Sequence, residues 1–140
     1  MSIDLDYDYF FGNESAQRKI AHKLNFDYSL GSQDWEYEVS HLRKTEDYIE
    51  LYNAVDTTDE EKSTLMEMIF DSIEHNNDYD GKKTDFEKYR NFINNSIKEN
   101  LEIHKGTLVY WIQSDFLISE KLLEIILVLG FKNKIKWRLE

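Results

Sequence analysis

Residues 101–129 read LEIHKGTLVYWIQSDFLISEKLLEIILVL and hold most of the uninterrupted apolar sequence of the chain. From Leu122 to Leu129 every position is apolar except Glu124. A run this apolar cannot lie on a wet surface, so it is expected to form the central helix against which the other elements pack. Upstream in the same stretch, Leu101, His104, Leu108 and Trp111 keep a helical step. Thr107 to Ile112 also suits a strand, because Thr, Val, Tyr, Trp and Ile all favour one; the helical spacing decides for helix. His104, Tyr110 and Trp111 read as core residues whose polar tips find partners.

The remaining composition supports one self-sufficient domain. A chain of 140 residues buries ~65–70% of its extended surface without help from disulfides or metals. Hydrophobic residues at 41% and aromatic residues at 14% argue against disorder despite 32% charged residues. The absence of Cys excludes disulfides, thiolate catalysis and cysteine-based zinc sites. The opening MSIDLDYDYFFGNES has neither a basic n-region nor an apolar h-region, and no apolar run is long enough to cross a bilayer. A cytoplasmic protein with no membrane partner is expected.

Charge is the most informative bulk property. The net charge of −11 is unevenly spread, with −12 on residues 1–100 and +1 on residues 101–140. Such a surface repels nucleic acid and anionic membrane and steers a basic partner toward it. The same charge also serves solubility.

Along the chain, Ile3, Leu5, Tyr7 and Tyr9 alternate with Asp4, Asp6 and Asp8. Near the other end Phe131, Ile135, Trp137 and Leu139 alternate with Lys132, Lys134, Lys136 and Arg138. Two alternating segments of opposite charge predict a small β pair formed by the termini. A helix is expected from about Ser15 to Leu24, closed off by Gly31 and Ser32, and a longer one from about Asp34 to Val55. Thr58 with Glu61 forms a capping box that starts a helix running to about His75. Thr84 with Glu87 forms another that starts the helix carrying Phe86, Tyr89, Phe92, Ile93 and Ile97. The fold class expected is mainly α, a compact bundle of about five to six helices with the terminal β pair.

Asn76, Asp78, Asp80, Gly81 and Glu87 stand at positions 1, 3, 5, 6 and 12 of the loop pattern of EF-hand calcium sites. Asn76 replaces the usual Asp, and Lys83 stands where an apolar residue normally packs. A turn at Gly81 followed by the second capping box explains the same residues, so no metal is assigned. The four His residues are scattered, and Glu38 with His41 is a lone E-x-x-H pair where a carboxylate-bridged centre needs two. No nucleophile elbow, phosphate-binding Gly loop or dinucleotide fingerprint is present. Neither an enzyme nor a cofactor is expected.

Leu101-Glu102-Ile103-His104-Lys105 leads into Thr107-Leu108-Val109-Tyr110-Trp111, then Phe116 and a helix opening near Ser119. This order resembles the C-terminal pattern of small acidic bacterial immunity proteins from contact-dependent and related polymorphic toxin systems. In that group a segment of the form L-x-x-H-x-x-T-φ-x-Y-W follows several acidic helices and precedes an F-x-I-S/T helix entry. The resemblance runs from about Phe86 to Leu129. It departs after Phe116, where an Arg expected in the last helix is missing and Leu123 to Leu129 is more apolar.

The resemblance implies a single immunity-protein-like helical domain over residues 1–140, staying in the cytoplasm and binding a cognate toxin domain. Charge adds that the toxin is a basic one, such as a nuclease, blocked sterically and electrostatically by carboxylates standing in for phosphates, with no direct contact to nucleic acid. The partner-binding face expected is the polar side of residues 34–61: Asp34, Glu36, Glu46, Asp47, Glu50, Asp56, Asp59, Glu60 and Glu61, with Tyr48 as an aromatic anchor. Two other readings use the same residues. One is an acidic nucleic-acid mimic that inhibits a DNA- or RNA-acting enzyme, and the other is a calcium module built on the degenerate loop.

Overall fold

The computed structural model describes residues 9–28, 35–75 and 85–135, and these are mainly helical with no strand among them. Helix α1 spans Glu14–Leu24. Its first turn is capped by the Asn13 side chain, which accepts from the Ala16 amide at 2.8 Å. It stops at Asn25, whose φ of 60° is tolerated because a short amide side chain suits the left-handed region. Helix α2 spans Trp35–Val39 and tightens into a 3-10 turn over Ser40–Leu42. Then come α3 (Thr45–Tyr52), α4 (Asp59–His75), α5 (Phe86–Glu99), α6 (Leu101–Gln113) and α7 (Ser119–Val128).

The single long helix expected over residues 34–55 is two helices with a break between them. Arg43 and Lys44 are extended. Three contacts hold the break. The Asp47 carboxylate accepts from the Lys44 amide at 3.2 Å, the Tyr48 hydroxyl reaches back to the Ser40 carbonyl at 2.6 Å, and Arg43 donates to the Leu24 carbonyl at 2.6 Å. The last two are tertiary, so spacing along the chain could not anticipate them. The capping box at Thr58 forms as expected, with the Glu61 amide donating to Thr58 Oγ1 at 3.2 Å and the Thr58 amide to Glu61 Oε1 at 3.4 Å. Residues 101–113 are helical, which resolves the choice between helix and strand.

The centre of the bundle is α4, and this corrects the expectation for residues 122–129. Helix α7 buries Leu122, Ile125 and Ile126 but exposes Leu123, Leu127 and Val128. In contrast, α4 is buried along almost its whole length from Glu61 to Glu74 and packs against α1, α2, α3 and α6. Its apolar residues Leu65, Met66, Met68, Ile69, Phe70 and Ile73 are all fully buried. Burial on every side is affordable because its buried polar residues, Ser63 apart, have partners. Glu61 meets Lys23 of α1 at 2.9 Å, Thr107 of α6 donates to Glu67 at 3.3 Å, and Ser40 donates to Asp71. Ser72 meets Thr45 of α3 at 2.7 Å, and Glu74 accepts the amides of Leu117 and Ile118 at 2.8 and 3.1 Å. Each contact ties one neighbouring element to the central helix.

The segment before α1 lies directly on that helix. A Cβ on Gly12 would fall 1.8 Å from Thr64 Oγ1 and 2.8 Å from the Glu60 carbonyl oxygen, so only glycine fits there. The expected β pair lies mostly outside the described residues. Of its C-terminal half, Lys132–Lys134 form a 3-10 turn instead of a strand.

Glu74 caps α7 from another helix, with its charge at the positive end of the helix dipole. Glu74→Ala removes a charged acceptor from two amides at once and is expected to lower unfolding free energy by about 2–3 kcal/mol. Urea denaturation measures this, and a loss within error of zero would show that the cap is dispensable.

Candidate functional site

The sequence-predicted binding residues separate into three groups. Glu46, Glu50, Asp56 and Asp59 are exposed, with Glu60 half-buried beside them. They lie on α3, its following turn and the first turn of α4, and form an acidic ledge. No Lys or Arg occurs from Thr45 to Glu61. Asp47 is half-buried and holds the start of α3 through the Lys44 amide. The second group is interior. Glu36 and Glu61 are 6% and 1% exposed, and Tyr48, expected as an aromatic anchor, is fully buried with its hydroxyl on the Ser40 carbonyl. Asp34 alone forms the third group, lying outside the described residues. The apolar side chains that do stand on the ledge and its approach are Leu42, 52% exposed, and Val55, fully exposed. A lone apolar residue in a polar turn left no periodic signal to find.

Electrostatics differ across the ledge. The Lys88 ammonium of α5, 2.8 Å from Glu46, holds that carboxyl down at about 2. Asp56 lies 3.8 Å from Lys23, while Glu50 and Asp59 have no cation within ion-pair distance among the described residues. Glu50 and Asp59 are therefore the least compensated charges there.

Beneath α2, Glu36 and Glu67 are buried side by side. Gln17 donates to Glu36 at 2.8 Å and is itself held by the Tyr28 hydroxyl at 2.7 Å. Burial, followed by the neighbouring Glu36 carboxylate, pushes Glu67 well above the usual carboxylate range. Two desolvated carboxylates in contact resist being charged together, which biases Glu67 toward its protonated form beside Glu36. His104 is buried with Nε2 2.7 Å from the Tyr52 hydroxyl, and burial lowers its imidazole to about 3. His104 and Trp111 are core residues, as expected, but His104 Nδ1 and Trp111 Nε1 find no hydrogen-bond partner among the described residues, and Tyr110 is half exposed.

Beside the ledge is a feature of opposite character, a cleft of about 750 Å³ between the 3-10 turn, α3, the end of α4 and the start of α5. Its lining includes His41, Arg43, Lys44, His75 and Lys88. Residues 41–44, His-Leu-Arg-Lys, are a basic cluster in an acidic region, and that was the available sequence signal.

Among the described residues no group of three or more His, Asp or Glu could hold a metal ion, and no helix is long and apolar enough to cross a membrane. Most of the calcium-loop match, residues 76–84, lies outside the described residues. Glu87, its last position, is occupied by Arg90 at 2.7 Å and Lys121 at 3.2 Å. No family model matches the chain, and no curated protein or solved structure matches it.

The two buried groups give stability opposite pH slopes. The Glu67 contribution is full below the unfolded carboxyl value of 4.5 and is lost as pH rises through its raised folded value. The His104 contribution is full above 6.5 and is lost as pH falls toward about 3. Glu67→Gln keeps a donor for Glu36 without an ionisable group. Its stability relative to wild type is expected to rise with pH above the unfolded value of 4.5, by up to ~1.4 kcal/mol per unit for as long as folded wild-type Glu67 keeps the proton that the unfolded chain has lost, and to level off once Glu67 ionises in the fold. Urea titrations at several pH values decide this, and parallel profiles would refute the bias of Glu67 toward its protonated form.

Proposed function

We propose that this protein is a binding inhibitor, a cytoplasmic immunity protein that neutralises a basic toxin domain by occupying its substrate-binding surface. The observation that carries the reading is the acidic ledge, where exposed Glu46, Glu50, Asp56 and Asp59 and the fully exposed Val55 lie on a stretch of chain that holds no Lys or Arg. Complementary charge of this kind raises the association rate, because it biases diffusion toward the productive face. Exposed apolar residues desolvated at the centre of a contact govern its lifetime. Leu42 and Val55 take the anchoring role that the sequence had suggested for Tyr48.

The likeness of residues 86–129 to small immunity proteins supports the same reading and supplies the kind of partner. A nuclease domain must be basic where it holds phosphates, and carboxylates spaced along a helix and turn are a substitute for them. Inhibition here needs no reaction, and the paired interior acids Glu36 and Glu61 take no part in it. Asp47 is excluded for a different reason, since changing it would unfasten the start of α3.

The test is growth rescue by co-expression with a toxic domain encoded beside this gene, together with association kinetics on the purified pair. Glu50→Lys with Asp59→Lys reverses only exposed, uncompensated charges. It is expected to slow association by about 10-fold or more at low salt, with the difference shrinking as salt rises. Val55→Asp is expected mainly to shorten the complex lifetime. Rescue and binding unaffected by both changes would move the interface off the ledge. Absence of both for the wild-type pair would remove the immunity reading.

A further inference from the structure

The cleft beside α3 reverses the charge of the molecule around it. Among the described residues its lining carries three permanent cations, Arg43, Lys44 and Lys88, and two histidines, His41 and His75, against the carboxylates of Glu46 and Asp71. Both carboxylates are already engaged. Glu46 pairs with Lys88 at 2.8 Å, while Asp71 accepts from Ser40 and lies 3.1 Å from His75 Nδ1. Arg43 spends one Nη2 hydrogen on the Leu24 carbonyl and keeps other donors. Lys44 has no carboxylate within ion-pair distance among the described residues. Among the described residues the cleft has donors and positive charge in surplus, in a chain whose net charge is −11.

We propose that this cleft binds a small phosphorylated ligand, a dianionic phosphate ester, with Lys44, Arg43, Lys88 and the histidines as its donors. The volume of about 750 Å³ falls in the ~300–1,000 Å³ range of small-molecule sites. Donors approach from three separate elements, the 3-10 turn with its following residues, the end of α4 and the start of α5. That arrangement suits a tetrahedral group with several acceptor oxygens better than a planar carboxylate taken from one side.

His75 is prepared for such a role. Its Nδ1 is held by the Asp71 carbonyl at 2.9 Å and the Asp71 carboxylate at 3.1 Å, which leaves Nε2 as the nitrogen available to the cleft. The Ser40 hydroxyl fixes Asp71 from the other side, and Ser72 with Thr45 fixes the α4 to α3 contact at the base.

The site is independent of the acidic ledge apart from Glu46, and Glu50 and Asp59 do not line it. The experiment is an amide-resolved NMR titration of the full chain with inorganic phosphate, with phenyl phosphate, and with acetate at matched ionic strength. Saturable shifts are expected for phosphate and phenyl phosphate at residues 40–45, 71–75 and 88–89, with phenyl phosphate the tighter. Lys44→Gln, at an exposed side chain, is expected to weaken binding by about 10-fold. Lys88→Gln serves as a second variant should the first disturb the spectrum. Shifts that do not saturate would overturn the proposal, as would equal binding of acetate or undiminished binding in both variants. None of these outcomes bears on the ledge, which Glu50→Lys with Asp59→Lys tests separately.

Discussion

The structure depends on the pairing of polar side chains buried along α4. A buried polar group without a partner costs about 1–3 kcal/mol, and charged ones cost more. Helix α4 buries Glu61, Ser63, Thr64, Glu67, Asp71, Ser72 and Glu74, and its position in the centre is tenable because all of these except Ser63, whose Oγ has no hydrogen-bond partner among the described residues, are satisfied. The partners come from different elements: Lys23 of α1, Thr107 of α6, Ser40 of the 3-10 turn, Thr45 of α3 and the two amides that open α7. Apolar packing is non-directional and would accept several arrangements of these helices. Hydrogen bonds with defined partners accept far fewer. The polar residues of α4 therefore fix the register in which Leu65, Met66, Ile69, Phe70 and Ile73 pack.

That same pairing explains which features of the fold could be read from the sequence. Helix existence followed from local signals, because caps such as Thr58 with Glu61 and the apolar spacing of α1, α5 and α6 act within one turn or one face. Rank within the bundle did not. Seven buried polar residues made α4 look half solvated, while the nearly uncharged run of α7 looked central and instead leaves Leu123, Leu127 and Val128 outside. The break before α3 was hidden for a related reason, since Tyr48 and Arg43 hold it through carbonyls of Ser40 and Leu24. Charge made Glu46, Glu50, Asp56 and Asp59 legible as surface acids. It could not separate them from Glu36 and Glu61, whose burial depends on Gln17 and Lys23 in another helix.

The interior acids also change how the bulk charge should be understood. Of the carboxyls in the first hundred residues, Glu36, Glu61, Glu67, Asp71 and Glu74 are buried. Glu67 is biased toward its protonated form, and Glu61 and Asp71 lie against Lys23 and His75. The field presented to a partner is set by what remains outside, and it is concentrated where the chain runs from Thr45 to Glu60 without a basic residue. Steering decays within a Debye length of ~8–10 Å at ordinary ionic strength, so such local concentration matters more than the total of −11.

The start of α3 is where the two surface characters meet. Lys44, the last residue before it, lines the basic cleft, while Glu46 two positions later belongs to the ledge and takes Lys88 from the cleft as its partner. Lys88 thus compensates the acid nearest the cleft and leaves Glu50 and Asp59 as the uncompensated charges farther along the ledge. Anchoring of Thr45 by Ser72, and of Ser40 by Asp71, sets both surfaces on the rigid end of α4. A site supported this way keeps its donors and carboxylates in place before any partner arrives, and less binding energy is then lost to ordering them.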